Sequence, residues 1–176
     1  MLQIAVPKET AAHENRVALS PAAVSQLIKD EHQVLIEKGA GDASNFLDQD
    51  YTDAGATIAT NRNEIFSQAD LVLAVQTPSE DDLGLMKKGS TLICFLWALQ
   101  HPELVEKLKS LGITALGMDA IPRISRAQNM DALSSMSSIA GYKAALMAAS
   151  ELDKYFPMMM TAAGTIPPSK ALIMGA

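Results

Sequence analysis

The densest gathering of side chains able to hold a polar ligand lies in "IPRISRAQNMDALSS", residues 121–135. Arg123, Arg126, Gln128, Asp131 and Ser134 fall within twelve positions, with Ile121, Pro122, Ile124 and Ala127 between them. A surface loop rarely mixes rigid apolar residues with so many specific donors and acceptors. The stretch also has a purely structural use. It ends where a long helix begins, so Asp131 suits the N-cap and Ser134 its capping partner. Three further positions could do chemistry. Arg16, in "ENRVALSP" (14–21), lies between a strand end and a helix start. Ligands bind there in α/β sheets if the loop is on the carboxyl side of the strands; a solvated surface Arg is the commoner use. Gln76, in "AVQTP" (74–78), either points into a cleft or closes a strand before a proline turn. Trp97, the single tryptophan, in "FLWALQHP" (95–102), lines a pocket or packs in the core. His101 stands where a helix cap or first-turn residue would. His13, His32, His101 and Cys94 have no metal-ligand spacing, so no metal site is expected.

These positions need elements to hold them. "LQIAVP" (2–7) predicts a strand, and "SPAAVSQLIKD" (20–30) a helix capped by Ser20 with Pro21 at its first position. "QVLIE" (33–37) is a strand before the glycine-rich turn "KGAGDAS"; "ATIAT" (56–60) is a short strand, and "NRNEIFSQ" (61–68) a helix capped by Asn61. "ADLVLAVQ" (69–76) and "TLICFL" (91–96) are continuous apolar runs, the pattern of buried parallel strands. "HPELVEKLKSLG" (101–112) is a helix and "ITALGM" (113–118) a strand. Strands alternating with helices over about 1–120 predict an open parallel α/β sheet with flanking helices. A different texture follows: a long helix rich in small residues over 129–156, then "PMMMTAAGTIPPSK" (157–170), a loop broken by Pro157, Gly164, Pro167 and Pro168. "ALIM" (171–174) with Gly175 resembles the first strand of a dinucleotide-binding unit running into its glycine turn. The expected organisation is an α/β domain at 1–128, a linking helix and loop at 129–170, and the first strand of a truncated second Rossmann domain at 171–176.

The formal net charge is −6 and no basic cluster stands out, which argues against nucleic acid as a partner. The N-terminus has no basic segment ahead of its apolar residues, unlike a signal peptide. The apolar run Leu92–Leu99 falls far short of the roughly 20 residues that span a bilayer. Cys94, the single cysteine, lies inside that run and reads as a buried, inert thiol.

The segments "PKE" (7–9), "ENRVALSP", "PRISRAQNMDALSSMSSIAGYKA" (122–144), "MMMTAAGTIPP" (158–168) and "ALIMGA" together resemble one family. It is the NAD(H)-binding alpha component of proton-translocating nicotinamide nucleotide transhydrogenase. The resemblance runs over essentially the whole chain and is closest to the split-alpha form, a separate soluble polypeptide. It implies two α/β domains beside a cleft, the second a Rossmann domain holding NAD(H). It further implies a homodimer when full length, docked on a membrane component and on an NADP(H)-binding component. Localisation would then be cytoplasmic, peripheral on the inner membrane through those partners. On this resemblance the 176 residues are an N-terminal portion that lacks most of the NAD(H) site and is inactive in isolation.

Carried over by the resemblance, Arg123, Gln128, Asp131 and Ser134 belong at the nicotinamide, and Gly175 at the cofactor's glycine turn. Gln128 resembles the glutamine that reaches between the two nicotinamide rings; the other three resemble groups holding the carboxamide and ribose. Hydride transfer itself needs no protein acid or base. The alternative is an alanine dehydrogenase-like oxidoreductase, which shares this N-terminal fold and uses an Arg, a Lys and a His. Arg16 matches the Arg, but Gln76 stands in place of the Lys and Trp97 in place of the His. A third alternative is a non-catalytic binding or dimerisation module.

Overall fold

In the computed structural model, which describes residues 1–175, six short strands form one parallel sheet. They are β1 (Gln3–Val6), β2 (Gln33–Glu37), β3 (Thr57–Ala59), β4 (Leu71–Gln76), β5 (Thr91–Phe95) and β6 (Thr114–Gly117). The order across the sheet is β3-β2-β1-β4-β5-β6, with every pairing parallel. The chain winds outward from β1 to β3, then crosses back to β4 on the other side of β1. That reversal opens a crevice at the carboxyl ends of β1 and β4.

The apolar runs become strands because both faces are covered. Ile4, Val6, Val34 and Ile36 pack with Val24 of α1 (Pro21–Lys29) and Tyr51 of α2 (Asp48–Asp53). The alternate residues Ala5, Leu35, Val72, Leu92 and Cys94 face the other way. They meet Ile65 and Phe66 of α3 (Arg62–Gln68), Leu83 of α4 (Glu80–Leu85) and Leu108 of α5 (Pro102–Leu111). Each fully buried aliphatic side chain contributes about 1.5–3 kcal/mol. Ser20 caps α1, its Oγ accepting from Ala23 N–H at 3.3 Å, and Pro21 follows as expected. The turn after β2 depends on Gly41: a Cβ there would lie 2.6 Å from Phe46 O and 2.7 Å from Tyr51 Cε2.

The chain divides into two compact units, residues 1–130 and a second beginning at Asp131. The second holds α6 (Ala132–Glu151) and an antiparallel hairpin of β7 (Met159–Thr161) and β8 (Gly164–Ile166). No residue of α6 is buried.

Three expectations are corrected. The long helix is shorter than 129–156 at both ends: Asp131 caps it, and Leu152 is already extended. The segment 157–170 is not a plain loop, since its prolines bracket the hairpin rather than interrupt it. Residues 171–174 form no strand, because a strand needs a hydrogen-bonded neighbour and none pairs with them among the described residues. Leu172, Ile173 and Met174 are exposed, and Gly175 adopts φ 79. Ala176, the last residue of that expected strand, lies outside the described residues. The short helices α2 and α4 are additional to the sequence reading.

Candidate functional site

At the carboxyl edge of the sheet, strands outrun their neighbours and leave N–H groups without backbone acceptors. Side-chain carboxylates from departing loops take them. β1 ends at Val6 while β4 continues to Gln76, and the β4–β5 register shifts between Leu73 and Gln76. Glu9 fills the gap: Val75 N–H donates to its Oε1 at 2.6 Å and Gln76 N–H to its Oε2 at 3.3 Å. Burial pushes the Glu9 carboxyl above its ordinary value, and the two N–H groups offset part of that rise. Beyond β1, Lys8 N–H donates to Glu37 Oε2 at 2.7 Å. Beyond β5, Leu96 N–H donates to Asp119 Oδ1 at 2.7 Å, since β6 turns into a 3-10 helix (Met118–Ala120) after Gly117.

Arg16 is held by Glu14 through a two-point fork, Nε to Oε1 at 2.8 Å and Nη2 to Oε2 at 2.6 Å. Gln76 Nε2 donates to the same Oε2 at 2.8 Å. The Arg16 fork keeps the Glu14 carboxyl down at about 2. The guanidinium also lies 5.7 Å from the centre of the Phe95 ring, which stacks with Trp97 at 6.3 Å and 21°. Trp97 has φ 50, a left-handed conformation that a bulky residue rarely adopts. Gln76, Thr77, Phe95, Trp97, His101 and Lys107 are among the residues lining a cleft of about 470 Å³ beside this stack. A smaller cleft of about 200 Å³ adjoins it, with Lys8, Glu9 and Arg62 in its wall.

Arg62 ties the edge together. Its Nε and Nη2 donate to the two oxygens of Asp82 at 2.9 and 2.8 Å; Nη1 donates to Glu37 Oε2 at 2.7 Å and to Lys8 O at 3.0 Å. Ser79 Oγ completes Asp82 at 2.8 Å. Cys94 sits below the cleft, and burial pushes its thiol up to about 12, so it stays protonated.

The segment richest in candidate groups follows Asp119. Arg123 and Gln128 are both exposed, and their polar ends bond to nothing among the described residues. Ala127 is the buried residue of the 3-10 helix Ser125–Met130. Asp131 and Ser134 are engaged as an N-cap: Ser134 N–H donates to Asp131 Oδ1 at 2.9 Å and its Oγ to Oδ2 at 2.5 Å. Within residues 1–130, then, Arg16 and Gln76 are drawn together on Glu14, whereas Arg123 and Gln128 stand apart from that network. Arg62 and Asp119 were not singled out from sequence, and Glu9 entered only as part of "PKE". Their partners lie 20 to 67 residues away.

A doubly wound parallel sheet with polar groups gathered at its carboxyl edge defines a Rossmann-like α/β domain. The chain belongs to the alanine dehydrogenase/PNT N-terminal domain family, whose model matches residues 5–140. It is 45% identical to NAD(P) transhydrogenase subunit alpha of Haemophilus influenzae, over 98% of this chain and 33% of that protein. It is 38% identical to alanine dehydrogenase of Bacillus subtilis, over 86% of this chain and 39% of that protein. The crystal structure of a transhydrogenase from Sinorhizobium meliloti superposes with a TM-score of 0.87 at 38% identity, covering 94% of this chain and 47% of that one. The chain therefore spans between a third and a half of the length of these transhydrogenase relatives.

Proposed function

We propose that this chain supplies the nicotinamide end of an NAD(H) site in a proton-translocating NAD(P) transhydrogenase. The observation that carries the reading is the state of Arg123 and Gln128: exposed polar ends without partners, on a segment anchored by Asp119 and Ala127. These residues fit a nicotinamide. A guanidinium donates to a carboxamide oxygen, and a glutamine amide both donates and accepts. The family resemblance assigns Asp131 and Ser134 to the ribose and Gly175 to the cofactor's glycine turn.

When bound, the nicotinamide supplies the hydride chemistry. Arg123 orients the carboxamide, Asp131 and Ser134 steady the ribose, and Gln128 sets the approach of the facing ring and keeps water out. No titrating side chain is needed for that work. NADP(H) belongs to a partner component, and a membrane component couples the transfer to proton movement. Among the described residues no helix is long and apolar enough to cross a membrane. The extended polypeptide, this chain continued to its relatives' length, forms the homodimer. Residues 1–176 alone have no transhydrogenase turnover. Oxidation of an amino acid is disfavoured, because Arg16 is committed to Glu14 and neither Gln76 nor Trp97 supplies a cation or a proton acceptor.

The test is Gln128→Asn in the extended polypeptide, reconstituted with its NADP(H)-binding partner. Losing one methylene withdraws the amide, and a placement error of about 1 Å costs on the order of a hundredfold in rate. Stopped-flow transfer slows by about that factor while NADH affinity stays within a few-fold. Wild-type transfer with a lowered melting temperature removes Gln128 from the site.

A further inference from the structure

We propose that Asp119 is a positioning residue, a bracket that sets the Arg123–Gln128 segment against the end of β5. The inference rests on the nicotinamide reading above and names how that site is held. The last β5–β6 pair is Cys94 with Gly117, so the ladder offers nothing to the next donor, Leu96 N–H. Asp119 reaches back across the turn and takes it at 2.7 Å. Leu96 is 6% exposed, so in the folded protein the carboxylate shields this N–H from solvent. Gly117 makes the turn compact: a Cβ on it would lie 3.1 Å from Asp119 Oδ1 and 3.6 Å from Leu96 Cβ.

From that point the chain has little freedom. Ile121 is extended with φ −63 and ψ 124, as a residue before proline must be. Pro122 fixes its own φ, and its carbonyl accepts from Ile124 N–H at 2.9 Å. Ile124 O then accepts from Ala127 N–H at 2.9 Å, and Ala127 is buried. The exposed side chains of Arg123 and Gln128 thus hang on a short stiff span with two fixings, the Asp119 carboxylate and the Ala127 methyl. The fixing at Asp119 is the one a single atom makes. It also joins this span to the strand end that carries Trp97.

The bracket requires an acceptor oxygen and not a charge. Asp119→Asn keeps Oδ1 and should transfer hydride within about threefold of wild type in the extended, reconstituted enzyme. Asp119→Ala removes the oxygen; transfer should fall roughly 10- to 100-fold, with NADH affinity changed less than tenfold. Hydrogen exchange at Leu96 should be protected in the Asn variant and unprotected in the Ala variant. Should alanine leave the protein unfolded, Asp119→Ser takes its place: it keeps a polar group in the turn but falls short of Leu96 N–H. Wild-type transfer in the Ala or Ser variant, with Gln128→Asn slowed, overturns the bracket alone. Equal impairment of the Asn and Ala variants also overturns it, because charge would then matter. Wild-type transfer in Gln128→Asn overturns the site reading itself.

Discussion

Replacing Arg62 with alanine should cost more stability than any other single charge change at the carboxyl edge. The guanidinium makes four hydrogen bonds, two to Asp82, one to Glu37 and one to Lys8 O, and lies 5.2 Å from the Phe66 ring centre. The side chains of Arg62, Glu37 and Asp82 are 27%, 15% and 10% exposed. Breaking a buried ion pair costs about 3–5 kcal/mol, chiefly because a charge is left behind unpaired. Partial exposure of Arg62 puts the expected loss at the low end, about 3 kcal/mol. At about 2–4 °C per kcal/mol for a chain of this size, melting should drop by roughly 6–12 °C. Arg62→Lys keeps charge without the fork and should recover less than half of the loss. Acid gives a second check. Burial pushes the Asp82 carboxyl up, but the Arg62 fork and the Ser79 hydroxyl more than offset it, leaving it below its ordinary value. Such a group binds fewer protons when folded, so its stabilisation is present above about pH 4 and is lost as pH falls through the lowered value. In Arg62→Ala the Ser79 hydroxyl alone opposes the burial, and the carboxyl rises. The gap between wild type and variant should therefore narrow on acidification from pH 7 to about pH 4. Urea unfolding followed by the single tryptophan, Trp97, measures this. A gap under about 1 kcal/mol at neutral pH, or one that widens in acid, refutes the reasoning.

Two further changes test neighbouring features. Glu14→Gln should lose about 1 kcal/mol at neutral pH, a figure reduced by solvent screening because Arg16 is 40% exposed. Because the Glu14 carboxyl is lowered from 4.5 to about 2, that loss should fade as pH falls between those values; a pH-independent gap in urea titrations contradicts it. Gly41→Ala forces a methyl against Phe46 O and Tyr51 and should destabilise by about 1–3 kcal/mol, read as a lower urea midpoint with unchanged slope. A neutral alanine there means that the turn after β2 yields more easily than its contacts imply.

The sheet was legible because buried parallel strands carry unbroken apolar runs: 33–37 matched to the residue, and 91–96 overran by one. Helices with a cap and a proline, such as α1, were equally plain. Six-residue helices such as "DQDYTD" hold less than two turns and show no apolar period. The hairpin was missed because its three-residue strands are too short to show alternation and prolines flank it. At the candidate site, the crowding of Arg123 through Ser134 was visible, and so was the Asp131–Ser134 cap. What holds the site was not. Glu9, Arg62 and Asp119 act on backbone and side chains far along the chain, and no local pattern encodes such reach.

The carboxylates that finish the strand ends also give this edge a sign. Among the described residues, Glu9, Glu14, Glu37, Asp82 and Asp119 stand beside the guanidiniums of Arg16 and Arg62, with the ammonium groups of Lys8 and Lys107 in the cleft walls. In other doubly wound folds the corresponding rim welcomes pyrophosphate. Here carboxylates outnumber the cations named, and charges at such an edge act over roughly 8 Å at physiological salt. Any anion brought to this edge is therefore opposed more strongly at low salt than at high salt.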